Sequence, residues 1–171
     1  MYYKITNKDS DVYKQLYELR KKEQQIEESN KKLVMELVGQ DFTYFIGKAG
    51  QQNYERVTQY SGFEFKHPEK LPPKVWVLDE KYGDKGCYIP NRRTKAGREM
   101  MGKLRTMPHS SIIEVFRILN CEMSGRFAFP YVEIGKDDVI VLYMSDRFDD
   151  VLSKNKDIIE ITKREFEEIN V

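Results

Sequence analysis

The chain is short of the residues that staple, lock or swivel a backbone: its 171 residues include 2 cysteines, 6 prolines and 10 glycines. Cys87 and Cys121 are too few for a disulfide framework and do not form a Cys-x-x-Cys pair, so both read as reduced thiols, with Cys121 in a core. The low proline and glycine content excludes collagen-like and low-complexity chains. The 2 histidines, His67 and His109, stand far from each other and from both cysteines, with no short chelating pair, so no metal site and no cofactor are expected. No apolar run approaches the roughly 18 residues of a membrane span. The longest, Val139 to Met144, has the length of a strand. The first residues show no charged-then-apolar progression, so the expectation is a soluble, cytoplasmic chain without a membrane partner. An excess of one charge is also missing: 29 basic and 28 acidic residues leave a net charge of +1, so any electrostatic function must be local.

What is present is enough to build a core. Hydrophobic residues make up 40% of the chain, and aromatics include 11 Tyr and 9 Phe. At this length the expectation is a single domain over residues 1–171, hiding about two-thirds of its unfolded surface. Val12, Leu16, Leu19, Ile26, Leu33 and Leu37 recur at helical spacing, which predicts an amphipathic helix over about 10–38. Asp9, Ser10 and Asp11 are its N-cap candidates, and Gly39 is its stop. Such a helix would be about 42 Å long. A compact body of this size has a diameter of about 40 Å, so the apolar stripe should exceed what one body covers and mediate a homo-oligomer.

Strand patterns follow at Phe42, Tyr44 and Ile46, and at Phe63 and Phe65, around a break at Gly47-Lys48-Ala49-Gly50, which predicts a hairpin or meander. His67 to Pro73 reads as a stiff extended connector. Lys74 to Leu78 and Cys87 to Ile89 suggest a hairpin around Tyr82-Gly83-Asp84-Lys85-Gly86. Helices are predicted over about Thr94 to Met107 and Ser111 to Asn120, the second with Ser111 and Glu114 as a capping box. Arg126 to Ile134 and Asp138 to Met144 read as strands joined around Gly135-Lys136-Asp137. Ser145 is a cap for a short helix through Leu152, Ile158 to Ile161 is a strand, and Thr162 with Glu165 is a second capping box. Strands and helices come in clusters, which predicts α+β with an antiparallel sheet, a long N-terminal helix and several shorter helices.

Charge is most uneven from Asp84 to Met107, where Lys85, Arg92, Arg93, Lys95, Arg98, Lys103 and Arg105 face only Asp84 and Glu99. Asn91-Arg92-Arg93-Thr94-Lys95-Ala96-Gly97-Arg98 lies where a loop should enter a helix. Backbone donors at a helix start attract anions, and arginine forks match phosphate oxygens, so Arg92, Arg93, Thr94, Lys95 and Arg98 are candidate ligand-binding residues. A salt-bridged or solvated face is the competing reading. Trp76, Tyr82, Tyr88 and Tyr131 could add stacking faces for a planar base, although strand aromatics usually fill cores; Trp76 and Tyr88 are taken as candidates.

Lys48 is a further candidate from another loop. It belongs to Ile46-Gly47-Lys48-Ala49-Gly50, which resembles the Ile-Gly-x-x-Gly loop of KH nucleic-acid-binding domains and implies a clamp on a nucleic-acid backbone. The match departs from that family at Asn53, where an apolar residue is expected, and in the extended pattern of Gln40 to Phe45. No catalytic constellation is complete. Cys87 with His109 is the nearest to a nucleophilic dyad, no Gly-x-Ser-x-Gly elbow occurs, and Asp146, Asp149 and Asp150 suit a helix's first turn as well as Mg2+.

Several fragments together resemble a group of small phage and prophage proteins. They are Tyr2 to Asn7 before a long polar helix, Gly62 to Lys66 before a Pro-rich connector, Tyr88-Ile89-Pro90 with Thr94 to Gly97, and Ile159 to Thr162. The resemblance implies an accessory protein of a mobile element and supplies no catalytic residue. The functional expectation is a non-enzymatic phage-type protein that binds an anionic small molecule or nucleotide and counters host defence. The alternatives are a protein-interaction module, in which the long helix and basic face meet a host protein, and a nucleic-acid-binding domain.

Overall fold

A computed structural model of the chain describes residues 1–45, 62–79, 87–105, 112–122 and 130–171. It divides into two compact units: Met1–Gln24 with Ser111–Val171, and Gln25–Ser110. The class is α+β, and the described strands form two four-stranded antiparallel sheets where the sequence suggested one.

In the first unit the chain's start is threaded into its end. Strand β1 (Tyr2–Ile5) lies inside the order β6-β7-β1-β8, with β6 at Tyr131–Ile134, β7 at Ile140–Tyr143 and β8 at Ile159–Ile161. Tyr2 stands opposite Tyr143 on one side and Ile161 on the other. Residues with Tyr2 and Lys4 share the face covered by helix α5 (Lys163–Asn170). There the Phe166 and Tyr2 rings lie 4.9 Å apart, and Lys4 pairs with Glu165. The alternate residues Tyr3, Ile5, Ile140 and Leu142 point to the opposite face and are all buried. The Tyr3 hydroxyl donates there to Asp149, the first residue of helix α4 (Asp149–Leu152). Helix α3 (Ile112–Ile118) closes with Asn120 in the left-handed region at φ 55°, a position that asparagine tolerates.

Helix α1 runs Asp11–Val38, as its periodicity predicts. Ser10 Oγ accepts the Tyr13 N–H at 3.2 Å, and Gly39 ends the helix at φ +73° while donating its N–H to the Met35 carbonyl. Val12, Tyr13 and Leu16 are buried in the first unit, and Val34 is buried in the second. The expected stripe is used unevenly: Leu19, Ile26 and Leu37 are part-buried and Leu33 is exposed.

Two caps depart from the sequence reading. Ser145 makes no side-chain cap, and a 3-10 turn over Asp146–Phe148 leads into α4. Thr162 Oγ1 accepts the Glu165 N–H at 3.2 Å, but the Glu165 carboxylate reaches Lys4 and does not complete the box. Ser111 lies outside the described residues, and Glu114 pairs with Arg117.

The second unit carries the order β2-β3-β5-β4, with β2 at Phe42–Phe45, β3 at Gly62–Phe65, β4 at Trp76–Asp79 and β5 at Cys87–Pro90. Both expected hairpin pairings, β2 with β3 and β4 with β5, are antiparallel. Their core is Phe63, Phe65, Leu71 and Trp76, with Val34 of α1 and Leu104 of helix α2 (Lys95–Arg105). The connector is not extended throughout: Pro68–Lys70 forms a 3-10 turn, since proline's fixed φ suits a first helical position. Gln40 holds its entrance, accepting the His67 N–H at 2.8 Å and donating to the His67 carbonyl at 3.1 Å.

Candidate anion-binding site

The last residues of β5 lead directly into the basic segment. Asn91 ties this turn to the strand before it: its N–H donates to the Val75 carbonyl at 2.8 Å and its Nδ2 to the Pro73 carbonyl at 3.3 Å. Its Oδ1 accepts the Arg93 N–H at 3.2 Å, a local bond that fixes the turn. Thr94 then caps α2. Its Oγ1 accepts the Gly97 N–H at 3.1 Å, its hydroxyl donates to the Lys74 carbonyl, and its own N–H donates to Asn91 O at 3.2 Å.

Gly97 is what lets the helix start so close to Asn91. A Cβ at position 97 would lie 1.8 Å from the Asn91 carbonyl oxygen, so any side chain there would push the turn away. Thr94 is therefore a structural cap, and its bonding groups are occupied. Of the first-turn donors, the N–H groups of Gly97 and Arg98 go to Thr94, leaving those of Lys95 and Ala96 without an acceptor among the described residues.

The charged side chains stand outward on this frame. Arg92, Arg93, Lys95 and Arg98 are all exposed. Arg98 donates through Nη1 to the Arg92 carbonyl at 3.1 Å, which links the helix's first turn back to the loop. Arg92, Arg93 and Lys95 enter no ion pair among the described residues, so the salt-bridged reading has no pair to support it at these three positions. Lys74, which the sequence reading did not single out, is also exposed and is joined to the turn through its carbonyl. Only a contact between segments 20 residues apart reveals it.

The aromatic candidates are placed differently. Trp76 is 4% exposed, with Phe63 and Phe65 packed edge-on at ring distances of 5.7 and 5.2 Å. Its ring is core and leaves the candidate set, because no base could reach its face. Tyr88 is half-buried, 6.2 Å from the Phe65 ring, on the sheet side of the same core. Lys48 and its Gly47–Gly50 loop lie outside the described residues, as do Tyr82, Asp84, Lys85 and His109.

Both cysteines are free and buried. Burial, reinforced by the Asp79 carboxylate, raises the Cys87 thiol to about 11, and burial raises that of Cys121. Such thiols are the opposite of activated nucleophiles, which need a depressed pKa and access. Among the described residues no group of three His, Cys, Asp or Glu side chains is placed to hold a metal ion. No described helix is long and apolar enough to cross a membrane. No family model matches the chain, and no curated protein or solved structure gives a match to it.

Proposed function

We propose that the chain is a non-enzymatic binding protein whose Arg92–Arg98 segment holds a phosphorylated ligand. One observation carries this reading: among the described residues Arg92, Arg93 and Lys95 stand exposed without ion pairs, on a turn whose backbone is fixed by Asn91, Thr94 and Gly97. Like charges gathered at a helix start repel one another and oppose the helix dipole, and a bound anion removes both penalties. The frame is rigid, so the cations are presented without the ordering cost a flexible loop would carry. In this reading the chain is a phage-type accessory protein acting in the cytoplasm, and capture of a phosphorylated host molecule would counter a defence response. Self-association along α1 belongs to the same proposal, with Leu33, 36% exposed, on the shared stripe.

The test is a titration of mono-, di- and cyclic nucleotides and short nucleic acids against the full chain and its Arg92→Ala, Arg93→Ala double variant. The expected result is a phosphate-bearing binder whose affinity drops at least tenfold in the variant and falls with salt. No phosphate-dependent binder, or equal binding by both proteins, would refute the site.

A further inference from the structure

Resting on that reading of the Arg92–Arg98 segment, we infer that its ligand is a phosphorylated peptide of a partner protein, added as an antiparallel strand to the open edge of β4 with its phosphoryl group at Lys74, Arg92 and Arg93. Strand β4 is the last in the order β2-β3-β5-β4, so one side of its backbone has no neighbouring strand among the described residues. Which groups face that side follows from the ladder. Asn91 donates to the Val75 carbonyl at 2.8 Å, and Val77 stands opposite Ile89. Bonded residues alternate along an antiparallel pair, so Val75, Val77 and Asp79 turn their backbone to β5, while Trp76 and Leu78 turn theirs outward. The Pro72 carbonyl takes the Trp76 N–H at 3.1 Å. The Trp76 carbonyl and both backbone groups of Leu78 have no hydrogen-bond partner among the described residues.

The side chains on this edge are apolar. Val77 is 41% exposed and Leu78 44%, on opposite faces of the strand. Exposed edges are ordinarily protected by a charge, a proline or a bulge. Strand β4 has none of these at its two exposed positions, whereas the outer strand β6 of the other sheet presents Glu133 held by Arg20. An added strand would bond the three outward backbone groups and cover one apolar side chain on each face, the way extended peptides are held on sheet edges.

Charge selects the occupant and its direction. The bond from Asn91 to Val75 continues the β4–β5 register, so Lys74 and Arg92 leave the ladder at the same end, where the Thr94 hydroxyl fastens the Lys74 carbonyl. Lys74, Arg92 and Arg93 are exposed and enter no ion pair among the described residues. The opposite end of β4 carries Asp79. An antiparallel strand runs its C-terminal end toward Lys74, and a phosphoryl group about four residues beyond the one facing Leu78 reaches the cations. Its charge and acceptor oxygens match paired guanidinium forks. Among the described residues, a second copy of β4 would bring only the Asp79 carboxylate, which is already engaged.

The experiment measures fluorescence anisotropy of the full chain with a labelled, amidated peptide of alternating valine and threonine that ends in phosphoserine. Beside it stand the glutamate counterpart, the same residues with phosphoserine placed first, and a series N-methylated at one residue each. The phosphopeptide should bind at least tenfold more tightly than the first two. N-methylation should weaken binding at every second residue, since a strand turns alternate N–H groups to its partner. Arg92→Ala with Arg93→Ala should weaken binding at least tenfold. Leu78→Lys should do the same with circular dichroism and thermal melting unchanged, and any nucleotide held by the cations alone should ignore it.

A nucleotide that needs Arg92 and Arg93, beside a phosphopeptide that binds no more tightly than phosphoserine itself, would overturn the added strand and leave the anion site standing. N-methylation without a two-residue period would also overturn the strand. Equal binding of the glutamate peptide would overturn the phosphoryl group. A mass that doubles in light scattering, returns to one chain in Leu78→Lys and is unchanged by the peptide would give the edge to a second copy. Failure of every peptide and nucleotide to bind would remove both the strand and the phosphate site.

Discussion

Arg20 and Glu133, 113 residues apart in sequence, are joined by a two-point ion pair: Nε donates to Oε1 at 3.0 Å and Nη2 to Oε2 at 2.7 Å. Gln24 adds a third donor at 3.2 Å, and the Ile134 N–H a fourth at 3.0 Å. The pair fastens the polar part of α1 to the edge strand β6. Burial alone would raise the Glu133 carboxyl, but the Arg20, Ile134 and Gln24 donors outweigh it and hold the group below its ordinary value of 4.5. A carboxyl lowered on folding contributes stability above its unfolded pKa and loses it as pH falls through the folded value.

Glu133→Gln should therefore cost about 1–3 kcal/mol at pH 7, since Arg20 loses its two-point charged partner and keeps the longer 3.4 Å pair with Glu23. Urea unfolding at pH 7 and pH 3 gives the comparison. The difference between wild type and variant should shrink at the acid pH, and a constant difference would show that the ion pair is not the source.

Gly97→Ala and Gly102→Ala should move stability in opposite directions, although both lie in α2. The first would set a methyl 1.8 Å from Asn91 O and displace the turn that carries Arg92 and Arg93, a loss of about 2 kcal/mol or more. The second meets open space and gains helix propensity, up to about 1 kcal/mol. Thermal melts of the two single variants decide it.

Tyr13→Phe should destabilise by about 1 kcal/mol, through loss of the 2.7 Å bond from its hydroxyl to the Asp138 carbonyl. That bond holds the β6–β7 connection, where Asp137 and Asp138 both take left-handed backbone at φ 56° and 58°. Amide exchange should accelerate at Val139 and Gly135, which bond across the base of this turn, before it changes in β1.

Native protein should react slowly with a thiol reagent at pH 8. Burial and, for Cys87, the Asp79 charge raise both thiols above the ordinary value, Cys87 to about 11. Two fast equivalents per chain before denaturant is added would contradict the buried placement of both.

The sequence by itself determined α1 and its ends to within a residue or two, because an apolar repeat, the cap candidates Asp9, Ser10 and Asp11 and a glycine at position 39 are local signals that point the same way; the structure selects Ser10 as the cap. It also determined the class, the two hairpin pairings and the basic entry to α2, each written within a few adjacent residues. Only the tertiary structure revealed β1: four residues cannot announce a strand whose partners lie at Ile140–Tyr143 and Ile159–Ile161, at the other end of the chain. Trp76 was decided in the same way, since alternation shows that a strand has two faces but not which one Phe63 and Phe65 will cover. From sequence Thr94 reads as a ligand contact at the helix start. Its bonds to Lys74, Asn91 and Gly97 decide for the cap, because a hydroxyl has one proton to donate and few lone pairs, and here the fold has already taken them.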